Sequence, residues 1–142
     1  MSSDKVQVNA VEFFGDACVG FDELPEIDQV IVDDWRSFFT EPDFARFLSG
    51  QCHAARRSAG ALAEAGSHGP SARVAALAHD LASTCGGLGM ARAHRLAAEL
   101  ELASDGRCDA RIEALLPRLL GAIEAAASRL ETRYPAAQTE SH

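Results

Sequence analysis

A stripe of apolar side chains runs through the stretch from Ala72 to Gly89, and it limits the fold of this chain more than any other feature. Counted at the helical period, one side of the stretch carries six core-type residues, which are Val74, Leu77, Ala78, Leu81, Cys85 and Leu88. A stripe of this kind is stable only when other elements cover it. The stretch therefore predicts a helix with one side in a shared core.

The rest of the chain supplies partners of the same type. Alanine and leucine dominate from residue 41 onward, whereas valine, isoleucine and tyrosine are sparse there. Apolar periodicity predicts a short helix from Pro25 to Phe39 and longer helices beginning near Thr40, Met90 and Asp109. Because the turns between the long helices are short, neighbouring helices should run antiparallel. We expect an all-α fold, an antiparallel up-down four-helix bundle with a short N-terminal capping helix.

Side chains at the helix ends support these boundaries. Thr40 and Ser71 can cap the helices that follow them, and glycines 86, 87 and 89 can end the central helix. Pro117 has no backbone N–H, so it should kink or restart the last helix. In the short first helix, with Trp35 as its anchor, the residues expected to face the bundle are Ile27, Val30, Ile31, Trp35 and Phe38.

This pattern divides the chain into three parts. We expect residues 1–24 to form a partly ordered N-terminal extension, residues 25–135 the helical bundle, and residues 136–142 a disordered tail. The extension carries Phe13 and Phe14, and exposed phenylalanine clusters are costly. It could therefore also pack on the bundle as an arm, or bind a partner.

Composition argues against several classes of function. A chain of 142 residues, 47% of them hydrophobic, suits one domain, and its net charge of −8 argues against a nucleic-acid partner. The sequence has no apolar run of membrane-spanning length and no signal-peptide pattern, which predicts a soluble, cytoplasmic protein. The four cysteines show no C-x-x-C spacing, and no carboxylate pair or Ser/His/Asp set stands out. A metal site, a redox pair and a hydrolase centre are therefore not expected.

One histidine lies outside the core stripe of the central helix. His79 is about 160° round the helix from the middle of that stripe. An ordinary solvated helix face would carry lysine and glutamate around it. Its neighbours one and two turns away are all small instead: Ala72, Ala75, Ala76, Ala82, Ser83 and Gly86. Such a patch would let the surface of another protein approach the imidazole ring.

The residues around His79 resemble a family. Histidine-containing phosphotransfer (HPt) domains carry an A-H-x-L-K-G-S signature, followed by a glycine, on one helix of a four-helix bundle. The resemblance covers roughly residues 43–134 and includes the next helix, with Leu96 and Leu100 directed inward. The matching signature positions are Ala78, His79, Leu81, Thr84 in place of the serine, and Gly89, ten residues after His79.

This resemblance implies a phosphoryl carrier of a two-component phosphorelay rather than a turnover enzyme. His79 would be the phosphoacceptor, taking phosphate from a receiver-domain aspartate and passing it to another receiver. The partners would be the receiver domain of a hybrid histidine kinase, a response regulator, or both. Mg²⁺ would be held by the partner receiver, so the carrier would need no cofactor or metal of its own. We expect a monomer that binds neither nucleic acid nor membranes.

Two departures from the signature bear on phosphotransfer. Ala82 replaces the family's lysine and removes a positive charge beside the phosphate, whereas Ser83 replaces a glycine and is small enough not to block a partner. Arg92 and Arg95, at the start of the next helix, could reach the site and replace that charge. The residues expected to support the phosphate or the docking partner are Ala75, Ala76, Ala82, Ser83, Gly86 and Arg92.

Two other interpretations stay open. A degenerate HPt-like module would bind a receiver or kinase without phosphotransfer, which the loss of lysine at Ala82 favours. An interaction bundle of another kind could instead form a dimer through the Phe-rich N-terminus.

Overall fold

A computed structural model describes residues 20–136 of the chain. Its described part begins with a helical turn at residues 20–23, and no strand occurs within it. The helices that follow are α1 (Gln29–Arg36), α2 (Glu41–Gly66), α3 (Ala72–Leu88), α4 (Ala91–Asp105) and α5 (Asp109–Arg133). The expectation of an all-α fold is confirmed over this range. The predictions for residues 1–19 and 137–142 lie outside it.

The long helices pack around a single apolar core. Helix α3 contacts α2 and α4, and α5 also contacts α2 and α4, while the short α1 touches α2 and α3. Leu62, Leu81, Leu100 and Leu119 come from the four different long helices, and each is 0% exposed. The core side of α3 is therefore covered, as its apolar stripe predicted. Within residues 20–136, no helix combines the length and apolar character that crossing a membrane requires.

The caps of the long helices follow the local sequence. The Thr40 hydroxyl accepts a hydrogen bond from the Asp43 N–H at 3.3 Å, and the Ser71 hydroxyl accepts one from the Val74 N–H at 3.1 Å. Each bond satisfies one backbone donor that the first helical turn would otherwise leave without a partner. Both predicted N-caps are confirmed.

The prediction for α1 was wrong in its length and in part of its buried side. The helix begins after Asp28, whose carboxylate accepts the Val30 N–H at 3.1 Å, and it ends at Arg36. Val30 is 71% exposed and Phe38 is 77% exposed, whereas Val32 is buried. A helix of two turns rests on the bundle along a narrow line, so only part of a predicted stripe can be covered.

Trp35 lies at the edge of the core rather than inside it. Its side chain packs beside Phe47, with ring centroids 4.9 Å apart, and the residue remains 36% exposed. Its indole N–H donates a hydrogen bond of 2.6 Å to the carbonyl oxygen of Gly87. Trp35 therefore fastens α1 to the C-terminal end of α3.

Pro117 does not restart the last helix. Helix α5 continues through it from Asp109 to Arg133. Proline deprives only the carbonyl four residues earlier, that of Glu113, of its helical donor. Both Pro117 and Glu113 are exposed, so water can supply the missing hydrogen bond.

Gly89 joins the end of α3 to the segment before α1, and we expect Gly89→Ala to destabilise the fold. Gly89 has a φ of +85°, its carbonyl accepts the Asp28 N–H at 2.6 Å, and an added Cβ would lie 2.9 Å from the Asp28 oxygen. An alanine at this positive φ is strained, and its Cβ would be too close to the Asp28 oxygen. Together these effects should lower the free energy of unfolding by about 2 kcal/mol. Urea denaturation measures the change. Gly60→Ala is the control, because its Cβ would meet nothing within 4 Å. It should stabilise the protein by about 0.5–1 kcal/mol. Equal effects of the two changes would contradict the strain argument.

Candidate functional site

His79 lies on the exposed side of α3, about halfway along the helix. Its side chain is 64% exposed. The opposite side of the same helix is covered, since Val74, Ala78 and Leu81 are each 0% exposed and Leu77 is partly buried. The position of the ring agrees with the helical periodicity, because the core residues of α3 determine which way His79 points.

A carboxylate from the next helix orients this ring. Both Glu101 carboxylate oxygens lie 3.2 Å from Nδ1 of His79. An ionised carboxylate can only accept hydrogen bonds, so Nδ1 carries the proton and donates it. In the neutral form of the ring, Nε2 holds the free electron pair, on the edge of the ring away from Glu101. The site therefore presents an exposed ring that one carboxylate orients through Nδ1.

Glu101 was not among the predicted site residues. One signal could have identified it, because Glu101 follows His94 by seven residues and so falls on the same side of α4. Predicting that Glu101 contacts His79 also requires the alignment of α4 against α3, which cannot be read from the sequence.

A second histidine controls how closely α4 approaches α3. Nδ1 of His94 donates a hydrogen bond of 2.8 Å to the carbonyl of Ala82. The ring also lies against Gly86, where an added Cβ would come within 2.8 Å of Nδ1. Gly86 thus provides space for a side chain of this protein's own next helix.

This close approach changes the predicted patch. Ala76 and Ser83 are exposed, and Ala75 and Gly86 are partly buried. Ala82 is only 7% exposed, so it does not lie on the outer surface as predicted. The neighbouring α4, whose His94 ring donates to the Ala82 carbonyl, covers much of it. The exposed strip runs instead through Ala76, His79, Ser83 and Gly87, which we call the His79 strip.

Arg92 does not support the His79 strip. Its Nε donates to the carbonyls of Phe21 and Leu24 at 2.9 and 3.0 Å, and Nη2 donates to those of Asp22 and Leu24 at 2.9 and 2.6 Å. Nη1 lies 3.7 Å from the Glu26 carboxylate. These contacts hold residues 21–26 against the bundle, so the predicted phosphate-supporting role does not fit the position of this side chain.

Arg95 is the more accessible of the two arginines at the start of α4. Its side chain is 57% exposed. Its Nε lies 3.8 Å from Glu99, and that carboxylate makes a closer contact of 2.9 Å with Arg111. Arg95 is therefore the basic side chain that can turn toward a partner.

Cys52 and Cys85 do not form part of a reactive centre. Cys52 and Cys85 are buried, and burial raises the pKa of the Cys52 thiol to about 11 and that of the Cys85 thiol to about 12. Both stay protonated near neutral pH and behave as small apolar groups. Among residues 20–136, no group of three or more His, Cys, Asp or Glu side chains is arranged to hold a metal ion.

Comparisons with protein-family models, curated proteins and solved structures give no match for this chain. The geometry of the site is therefore what indicates its chemistry. In its neutral form, an exposed and oriented imidazole can attack an electrophile that a second molecule brings to the surface. Within the described residues the ring has an acidic orienting partner, and its surroundings are small enough for close approach.

Proposed function

We propose that this protein is a phosphoryl carrier of a two-component phosphorelay. His79 accepts the phosphoryl group from a receiver-domain aspartate and passes it to another receiver. The partners are the receiver of a hybrid histidine kinase, a response regulator, or both, and the protein acts as a cytoplasmic monomer. The HPt-like fold in this proposal is an antiparallel up-down four-helix bundle with a short N-terminal capping helix. Short connections between α2, α3, α4 and α5 support that arrangement.

The observation that carries this proposal is the exposed and oriented ring of His79. The ring is exposed on a bundle helix, its other nitrogen is held by Glu101 at 3.2 Å, and the neighbouring strip positions are small. Phosphoryl transfer requires in-line positioning and charge neutralisation more than covalent help from the carrier. An accessible, oriented imidazole meets that requirement.

The reaction follows from this geometry. The Nε2 electron pair attacks the phosphorus of the receiver's aspartyl phosphate, and the N–P bond forms as the acyl O–P bond breaks. The aspartate leaves as a carboxylate with the bonding electron pair. The phosphorylated ring keeps the proton on Nδ1 and is therefore cationic, and the Glu101 carboxylate offsets that charge. Mg²⁺ held by the receiver would neutralise the phosphoryl oxygens, and the same steps in reverse transfer the group onward.

We expect Glu101→Gln to slow phosphorylation of His79. Glutamine keeps a hydrogen-bond acceptor near Nδ1 but removes the charge that stabilises the cationic ring. The Glu101 side chain is 30% exposed, so solvent screens part of the interaction. The loss should be about 1 kcal/mol, or roughly fivefold in rate. The rate is measured by stopping the transfer from a phosphorylated receiver at successive times and counting the label on His79. Glu113→Gln removes one exposed charge on α5 and should have no effect; equal slowing by both variants would contradict a specific role for Glu101.

The proposed function is tested by incubating the protein with phosphorylated receiver domains and Mg²⁺. We expect the label to move to His79, located by mass spectrometry of peptides kept at alkaline pH, where phosphohistidine is stable. The receivers encoded in the same genome form the panel. Failure of all of them to transfer label to the wild-type protein would contradict the carrier function.

A degenerate HPt-like module is the second candidate, and Ala82 favours it. The position that carries lysine in the family signature is alanine here, 7% exposed and covered by α4. Such a module would bind a receiver or kinase and take no phosphate. It predicts that His79→Ala leaves partner affinity and cellular output unchanged.

A further inference from the structure

A groove lies beside the C-terminal half of the His79 strip. Its volume is about 670 Å³. Helix α3 forms one wall, the start of α4 another, and the segment leading into α1 closes the end. Leu24, Ile31 and Ala91 provide apolar walls, Gly87 leaves one side open, and the exposed Ser83 and Arg95 also line the cavity. Asp28 and His94 line it as well, and the Asp28 carboxylate is engaged by the Val30 N–H. We call this cavity the α3–α4 groove.

The groove is continuous with the site of proposed phosphotransfer. Ser83 belongs both to the His79 strip and to the groove, and it follows His79 by one helical turn, about 6 Å along the axis. Gly87 follows one turn later, about 12 Å from His79. A standard protein interface covers about 800 Å² per partner, which corresponds to a disc of about 16 Å radius. A partner centred on His79 therefore extends over the groove.

The lining of the groove specifies what that partner presents. An apolar wall with glycine at its open side accepts an apolar side chain, because burying such a side chain is favourable and no bulky group blocks entry. The exposed guanidinium of Arg95 suits an acidic neighbour. In the proposed reaction the partner brings an aspartyl phosphate to His79, so the face that meets this site carries negative charge.

We propose that the α3–α4 groove takes an apolar side chain from the receiver domain that exchanges phosphate with His79, with Arg95 pairing to an acidic group beside it. This inference rests on the proposed function and adds the orientation in which the receiver docks on the bundle. The receiver lies over His79 and extends toward the C-terminal end of α3 and the segment before α1.

Gly87→Gln tests this proposal. The Cβ at Gly87 would meet nothing within 4 Å, so a side chain fits there without disturbing the fold, and it stands at the open side of the groove. The Trp35 bond to the Gly87 carbonyl uses backbone and can persist. Gly60→Gln is the matched control, because Gly60 is an exposed helical glycine of α2 with the same free space. Each full-length variant is titrated with isolated receiver domains by calorimetry, and His79 is labelled separately with the small phosphodonor phosphoramidate.

We expect Gly87→Gln to weaken receiver binding tenfold to about a hundredfold, the range expected for excluding one apolar side chain. Gly60→Gln should change affinity less than about twofold. Phosphoramidate labelling should be equal in the wild type and both variants, since it needs no docking. Arg95→Ala should weaken binding more at low salt than at high salt.

Several outcomes would overturn the proposal. Unchanged receiver affinity in Gly87→Gln would show that the groove is not used, even if His79 is phosphorylated normally. Higher receiver affinity in a Phe13→Ala/Phe14→Ala double variant would assign the groove to this chain's own N-terminal segment. A wild-type dimer that Gly87→Gln converts to monomer would assign it to a second copy. Absence of label on wild-type His79 from both phosphoramidate and receivers would instead contradict the proposed function itself.

Discussion

His79→Gln should accept no detectable phosphate from a receiver, a loss of at least about a thousandfold in rate. Glutamine has no nucleophilic ring nitrogen, so the N–P bond cannot form. Its amide can still donate to Glu101, and the position is exposed, so the fold should be unchanged. Transfer of label from phosphorylated receivers, measured with circular dichroism of the same samples, separates chemistry from folding.

The control for this experiment is His53→Gln, which removes an exposed histidine from α2. This variant should accept phosphate from a receiver at the wild-type rate. Label that persists in His79→Gln would place the phosphoacceptor elsewhere. Wild-type protein that binds receivers but takes no label, with affinity unchanged in His79→Gln, would favour the degenerate module.

Leu81→Ala should produce the largest loss of stability among these variants, about 3–4 kcal/mol of unfolding free energy. Leu81 lies two residues after His79, on the opposite side of α3, and is 0% exposed within the core. Removing its side chain loses buried apolar surface and leaves a cavity that long, well-packed helices can fill only in part. Urea denaturation followed by circular dichroism measures the change.

Leu102→Ala provides the comparison, because Leu102 is 63% exposed on α4. Its loss should change stability by less than about 0.5 kcal/mol. If the two substitutions cost the same, α3 would not be packed as described, and the outward direction of His79 would lose its support.

Local chemistry allowed much of the fold to be predicted. The caps at Thr40 and Ser71 depend on a side-chain oxygen reaching a backbone N–H three residues later, which any chain with that local sequence can form. The left-handed C-cap at Gly89 follows from the freedom of glycine to adopt positive φ. The inward direction of Val74, Ala78 and Leu81 and the outward direction of His79 follow from helical periodicity.

Predictions failed where they depended on how closely two helices approach. Ala82 lies at the border between the buried and exposed sides of α3, and the His94 ring packed over Gly86 brings α4 close enough to cover it. Val30 and Phe38 belonged to a regular apolar pattern, yet a helix as short as α1 leaves them exposed. Arg92 was placed near the phosphate by sequence position, but its hydrogen bonds to the segment before α1 determine its orientation.

The sequence by itself determined that the described chain is helical, where its long helices start, and that His79 points away from the core, because each of these depends on residues within a few turns of one another. The tertiary structure decided that Glu101 orients the ring, that Ala82 is covered and that a groove opens beside Ser83. Those features depend on the register and distance between α3 and α4, which the packing of side chains across the whole core determines.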